Sequence, residues 1–297
     1  MKIEQLHSET TDKIIALLRA GTKPWSPSWS QTSVISRPVR SNGQPYHGIN
    51  VLLLWIAAME KDFSHRAWYT YRQAAALGGQ VRRGERGTPV IAYKPADPDV
   101  EDDDPRARAF ARCYTVFNKE QIDGLEADPS LPQSSARSDL RAMIAYRSLM
   151  DHHSPRHVET PGRAFYSPTT DTVHWPCQAD FRSPTHHFAT ACHEMAHWTG
   201  HASRLDRRGI SGTPSQEAYA YEELIAELAS AFIGATVGVD GSHLDDHASY
   251  LDSWVRVLAD PRAIFRAASE AERASNFLFP QSLVAGLSEG EICDAAA

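Results

Sequence analysis

Cysteine is scarce in this chain. Its four cysteines, Cys113, Cys177, Cys192 and Cys293, stand far apart with no CxxC among them, which excludes both a disulfide framework and a thiolate zinc knuckle. Long apolar runs are missing as well. The stretch Val51 to Met59 stops far short of the roughly 18 to 20 uncharged residues that a membrane helix needs, so no membrane partner is expected. No secretory leader is visible either: MKIEQLHSETTDKIIALL puts acids inside the would-be apolar region, and the expected location is cytoplasmic. What remains is an ordinary globular composition over 297 residues, 42% apolar and 23% charged, enough chain for two cores.

Positive charge is also short overall, with a net charge of −7, but its distribution is uneven. Residues 1–94 carry 13 Lys and Arg against 6 Asp and Glu, residues 95–137 carry 5 against 10, and the remainder 12 against 21. A basic first third meets polyanions, whereas an acidic remainder repels them. Two separate jobs on one chain are expected.

The pattern of apolar residues supports that division. An amphipathic helix is expected over residues 3–20, stopped by Gly21. A Pro-, Ser- and Gly-rich stretch with Trp25, Trp29 and Tyr46 follows, then helices at 49–59 and 68–77, and a strand, basic turn and strand over 80–95. The run PADPDVEDDDPRA reads as an acidic loop and residues 107–118 as a returning strand. Residues 126–139 have linker composition. Beyond them come a helix at 140–150, a hairpin at 162–176, a helix opened by Ser183 and Pro184 and closed by Gly200, a helix introduced by Thr213-Pro214-Ser215-Gln216, and further helices over 243–278. The expected class is α+β in two domains: 1–125, mixed helix and strand; 126–139, linker; and 140–297, mainly helical with a small sheet.

The chemistry concentrates in HEMAH at 193–197. Positions i and i+4 of a helix share a face, so His193 and His197 can both aim ring nitrogens at one ion about 2.0 to 2.1 Å away, with Glu194 set toward a water as general base. The same five letters also fit a helix carrying two half-exposed histidines. A third ligand is expected from YAYEELIAELASAF, where Glu223 and Glu227 form another i, i+4 pair. Glu223 is the expected ligand and Glu227 the acceptor of a hydrogen bond from a liganding imidazole, while Glu222 points about 100° away. The ion is expected to be Zn2+, although this donor set also accepts Mn2+, cobalt or nickel. Such a site hydrolyses peptide bonds. Tyr219, Tyr221 and His201 are unranked candidates for the oxyanion donor. In the first domain Trp25, Trp29, Arg37, Arg40 and Tyr46, with Arg82, Arg83 and Arg86 on the basic turn, are the expected surface for single-stranded DNA, held by stacking and phosphate neutralisation without sequence preference.

These motifs resemble a known family. KIIALLRAGTKPW, the run Gly48-Ile49-Asn50-Val51-Leu52 and the VRRGERGTPV stretch, with HEMAHWTGHASRLDR and YAYEELIAELASAF downstream, are similar to the ArdC antirestriction proteins of conjugative plasmids over nearly the whole chain. The resemblance implies a domain binding single-stranded DNA joined to a gluzincin-like metallopeptidase domain, and protection of incoming DNA from host restriction endonucleases during conjugation. His193, Glu194 and His197 match the metal motif, and Glu223 is the best match to its downstream acidic ligand. Two other readings remain open: a zinc metalloprotease that cleaves a protein substrate recognised by the first domain, and a binding module whose ion only fastens two helices.

Overall fold

The computed structural model describes residues 3–26, 36–94, 110–125, 135–207, 209–210, 215–239 and 251–287. Contacts divide the chain into two units, residues 1–13 with 38–130 and residues 14–37 with 131–297. Helix α1 (Ile3–Arg19) contributes residues to both, with Leu6, Ile14 and Leu18 buried.

In the first unit, strands β1 (Val39–Arg40), β2 (Ala67–Thr70), β4 (Thr88–Lys94) and β5 (Phe110–Asn118) form one sheet in the order β1-β2-β5-β4, and β3 (Gln80–Val81) pairs with β6 (Ile122–Asp123). Helix α2 (Ile49–Lys61) is apolar nearly all round, so it must be enclosed. It packs on β4, where the Asn50 side chain donates to Ile91 O at 2.7 Å and accepts from Ile91 N at 2.8 Å. Residues 68–77 are not one helix. Trp68, 1% exposed, pairs with Asn118 of β5, and Thr70 caps a short α3 (Tyr71–Ala76) through a reciprocal bond with Gln73. The two expected strands flanking the basic turn separate for the same reason, since β3 and β4 find different partners.

The second unit is built from helices α4 (Ser135–His153), α5 (Pro184–Thr199), α6 (Gln216–Val237), α7 (Leu251–Val257), α8 (Ala263–Leu278) and α9 (Gln281–Gly286) with a three-stranded sheet, β7 (Arg156–Glu159), β9 (Thr172–Trp175) and β8 (Phe165–Ser167) in that order. The expected hairpin is β8–β9, with Ser167 opposite Thr172. Strand β7, parallel to β9, has no counterpart in the expected pattern. Ser183 caps α5 by accepting from His186 N at 3.1 Å, and Ser215 caps α6 by accepting from Ala218 N at 3.2 Å. The N-cap of α6 is therefore Ser215; Thr213, at which the expected capping box begins, lies outside the described residues. A continuous core of Leu149, Trp175, Phe188, Cys192, Met195, Ile233 and Leu278 joins α4, α5, α6, α8 and the sheet. Cys113, Cys177 and Cys192 are free thiols, and Cys293 lies outside the described residues.

Residues 22–26 and 36–37, at the two ends of the Trp- and Pro-rich stretch, cluster with this second unit. Trp25 is 1% exposed and meets Trp254 edge-on at 5.7 Å. Lys23 Nζ lies 3.8 Å from Glu227 Oε1. Arg37 is ion-paired with Glu272, its side chain donates to Thr236 Oγ1 at 3.0 Å, and its backbone N–H donates to Ala235 O at 3.3 Å. These residues strap α6, α7 and α8 together. Of the expected linker, residues 126–134 lie outside the described residues, and Ser135 onward is already helix.

Removing one member of a buried ion pair leaves the other charge stranded. Arg37→Ala is therefore expected to lower the unfolding free energy by about 3 kcal/mol, whereas Arg40→Ala, at an exposed position, changes it by less than about 0.5 kcal/mol. Chemical denaturation of the two variants measures the difference, and equal effects would show that Arg37 is not held as described.

Candidate metal centre

The HEMAH segment sits in the last two turns of α5, and 13 of that helix's residues are buried. Its apolar side, Phe188, Cys192 and Met195, enters the core. His193 and His197 consequently face α6, and their Nε2 atoms lie 3.2 Å apart. Glu223 on α6 reaches both: Oε2 is 3.5 Å from His193 Nε2 and Oε1 is 3.5 Å from His197 Nε2. One ligand atom from each of the three residues falls within 4.8 Å of the others, the one such grouping among the described residues. Two imidazole nitrogens and a carboxylate oxygen make a chemically suitable donor set for Zn2+ or Mn2+. Glu194, between the two histidines in sequence, is 7% exposed.

The carboxylate that meets His197 Nδ1 is Glu222, a residue the sequence reading placed off this face. Glu222 Oε1 lies 3.3 Å from His197 Nδ1. A bond there fixes the tautomer with the proton on Nδ1 and turns the Nε2 lone pair toward His193 and Glu223. Glu227, 1% exposed, lies 3.8 Å from Lys23 Nζ. Glu222 does point away from the face that Glu223 occupies, but the loop after α5 comes round to meet it. That loop supplies Arg207, whose Nε and Nη2 bond Glu222 Oε2 and Oε1 at 3.0 and 2.5 Å. Burial opposes ionisation of Glu222 and Glu223, yet the bonds from His197 and Arg207 to the first, and from His193 and His197 to the second, hold both pKa values below the usual range. Burial likewise opposes charge on His197, and the bonds to Glu222 and Glu223 overcome it, so its pKa is raised.

Asp171, φ 48°, serves the architecture of the unit. It pairs with Arg204, whose guanidinium lies 3.8 Å from the Trp198 ring centroid, and accepts from Tyr166 OH at 2.8 Å. This ties the β8–β9 hairpin to the end of α5. Among the oxyanion candidates, Tyr219 is 44% exposed and His201 Nδ1 bonds Ser203 Oγ at 2.8 Å.

The expected nucleic-acid surface is redistributed. Trp25 and Arg37 are 1% and 7% exposed and cluster with the second unit, and Trp29 lies outside the described residues. Tyr46 is 6% exposed beneath the Arg40 guanidinium, 5.5 Å away. Arg40, Arg82, Arg83 and Arg86 are exposed. Arg82 and Arg83 border an open groove of about 740 Å³, lined also by Tyr71, Gln80, Phe117, Glu85 and Asp123. Tyr71, 52% exposed, is an aromatic of this groove that the sequence reading did not name. Its place at the first position of a short helix gives no periodic signal.

The fold and site define a two-part protein whose second part is a metallopeptidase-like unit. Residues 147–270 match the family described as zincin-like metallopeptidase, and residues 4–117 match the N-terminal domain of anti-restriction factor ArdC. A metal-free crystal structure of antirestriction ArdC from plasmid R388 superimposes with a TM-score of 0.77 at 37% identity, covering 96% of this chain and 99% of that one. Its Mn(II)-bound form gives 0.76 at 38% identity, covering 95% and 99%. An uncharacterized protein of Sinorhizobium fredii, y4eC, is 36% identical over 93% of this chain and 92% of its own length. Two DNA primases TraC of Escherichia coli are 38% and 37% identical over 92% of this chain, which spans only 27% and 20% of their length. The chain belongs to the ArdC antirestriction family. Its zincin-like unit and its Mn(II)-binding relative support a divalent metal as cofactor, and no helix among the described residues is long and apolar enough to cross a membrane.

A cation held by this donor set competes with protons, because an imidazole ligates only through a deprotonated ring nitrogen. Apparent Mn2+ affinity is therefore expected to rise with pH, by up to about tenfold per unit while one proton is released. Calorimetric titrations at pH 6, 7 and 8 measure this, and a flat profile would contradict it.

Proposed function

We propose that this chain binds single-stranded DNA through its first unit and shields incoming DNA from restriction endonucleases during conjugation, while its second unit is a metal-dependent peptidase-type hydrolase. The observation that carries the proposal is the end-to-end likeness to an antirestriction protein, 99% of that chain, together with exposed arginines on the first unit. His193, His197 and Glu223 would hold the ion. When bound, a divalent cation would supply Lewis acidity to a carbonyl and to water, whose pKa such ions bring toward about 7. Glu194 takes the proton from water and delivers it to the leaving amine. It lies between the two histidines in the sequence and is 7% exposed. Zn2+ and Mn2+ are both suited to the donors, and a bound Mn(II) in the R388 relative favours testing manganese first.

On the first unit, Arg40, Arg82, Arg83 and Arg86 neutralise phosphates, and Tyr71 offers a base its ring in the groove beside Arg82 and Arg83. The convergence of His193, His197 and Glu223 also supports a second reading, in which hydrolysis of a host protein is the biological act and the first unit recognises that substrate.

Full-length protein is expected to shift single-stranded oligonucleotides in a salt-dependent manner. Replacing Arg82, Arg83 and Arg86 together by Ala reduces the slope of log affinity against log salt by about 2, and Tyr71→Ala costs about 1 to 3 kcal/mol of affinity. An unchanged slope and affinity would remove this surface; duplex binding equal to single-strand binding would remove the strand preference. Glu194→Gln is expected to retain DNA binding while losing any peptidase activity by at least about a hundredfold. Protection of transferred DNA that persists in this variant supports the first reading, and its loss supports the second.

A further inference from the structure

Arg207 is 7% exposed and every nitrogen of its guanidinium is committed. Nε and Nη2 grip both oxygens of Glu222, Nη1 donates to Thr199 Oγ1 at 2.8 Å, and Nη2 also donates to Ala196 O at 2.7 Å. Its own backbone N–H bonds Gly200 O at 2.9 Å. One side chain thus spans the last turn of α5, which carries His197, and the second turn of α6, which carries Glu222 and Glu223. A buried Arg–Glu pair is a poor choice for stability alone, because apolar residues of equal volume do as well or better. The pair has a feature an apolar clasp could not have: Glu222 Oε1 receives both Arg207 Nη2 and His197 Nδ1, at 2.5 and 3.3 Å.

We infer that Arg207 is a positioning residue for the metal centre: its two-pronged grip fixes the Glu222 carboxylate, which in turn holds the His197 ring so that Nε2 faces His193 and Glu223. This inference rests on the metal site proposed above. A planar fork bonded to both carboxylate oxygens leaves Glu222 no freedom to rotate. Lysine, with a single ammonium, cannot reproduce that grip while also reaching Thr199 Oγ1 and Ala196 O.

Metal-stripped full-length wild type and the Arg207→Ala, Arg207→Lys and Glu222→Gln variants are titrated with MnCl2 by calorimetry, well below their melting temperatures, and bound Mn(II) is followed by electron paramagnetic resonance. Loss of a supporting partner is expected to weaken Mn2+ binding by about 10- to 100-fold in Arg207→Ala and Glu222→Gln, with Arg207→Lys recovering only part of the loss. A purely structural clasp would lower the melting temperature of the metal-free protein and leave the affinity of the folded protein unchanged, and that result overturns the inference. Should Arg207→Ala fail to fold, Glu222→Gln decides: wild-type affinity there overturns it equally. A wild-type chain that takes up no Mn2+ removes the metal site itself, and this inference with it, whereas wild-type uptake with unaffected variants removes the role of Arg207 alone.

Discussion

Three carboxylates within two turns of a buried helix impose the condition that the second unit has to meet. Glu222, Glu223 and Glu227 on α6 are 3%, 5% and 1% exposed, and an ionised carboxylate cannot be taken from water without donors or cations to replace it. Each is met from a different part of the chain. His193 and His197 on α5 face Glu223, Arg207 in the loop after α5 grips Glu222, and Lys23 from the N-terminal strap approaches Glu227. The apolar residues of α5 and α6 bring these helices together, but the compensation of charge selects their rotation about one another. Only one register places two imidazoles on one carboxylate and an arginine on its neighbour.

The strap shows why charge counted along a sequence is ambiguous. The excess of Lys and Arg in the first third suggests an external polyanion. Part of it is consumed internally: Arg37 is paired with Glu272, and Lys23 with Glu227, both on helices of the acidic part. Trp25, an apparent stacking platform, fills the interior beside Trp254. Segment arithmetic measures how much charge a stretch has to offer and says nothing about whether the acceptor is another molecule or the same chain.

What is legible in the sequence is local. The HEMAH spacing, the i, i+4 relation that pairs Glu223 with Glu227, the Ser183 and Pro184 start of α5 and the β8–β9 turn all follow from periods and caps that operate over four residues. What is not legible is mostly long-range. The parallel pairing of β7 with β9, the separation of β3 from β4 and the return of Arg207 onto Glu222 each depend on where distant segments lie. The angular argument for Glu222 is sound for the face shared with Glu223 and fails because a buried helix is contacted on several sides. Residues 68–77 are the exception, a local misreading: Thr70 and Gln73 stand at capping-box spacing and mark a helix start after a strand.

The same internal use of aromatic and basic residues changes which part of the first unit is available for a nucleic acid. A stacking platform has to present a face to solvent, and a phosphate contact requires an arginine whose donors are not all taken. Trp25 presents almost no face to solvent, Arg37 is buried in its pair with Glu272, and Tyr46 lies beneath Arg40. Arg83 and Arg86 remain exposed on the turn between β3 and β4, and Arg82 is only partly engaged, at 3.0 Å from Glu85 and 3.6 Å from Asp123 at largely exposed positions. Exposed ion pairs of that kind contribute little and are easily exchanged for a phosphate. Tyr71 completes the arrangement because its ring opens onto the groove those arginines border. On the proposed reading, binding strength on this unit is set by a few exposed groups around one turn, while Trp25 helps to hold the second unit together.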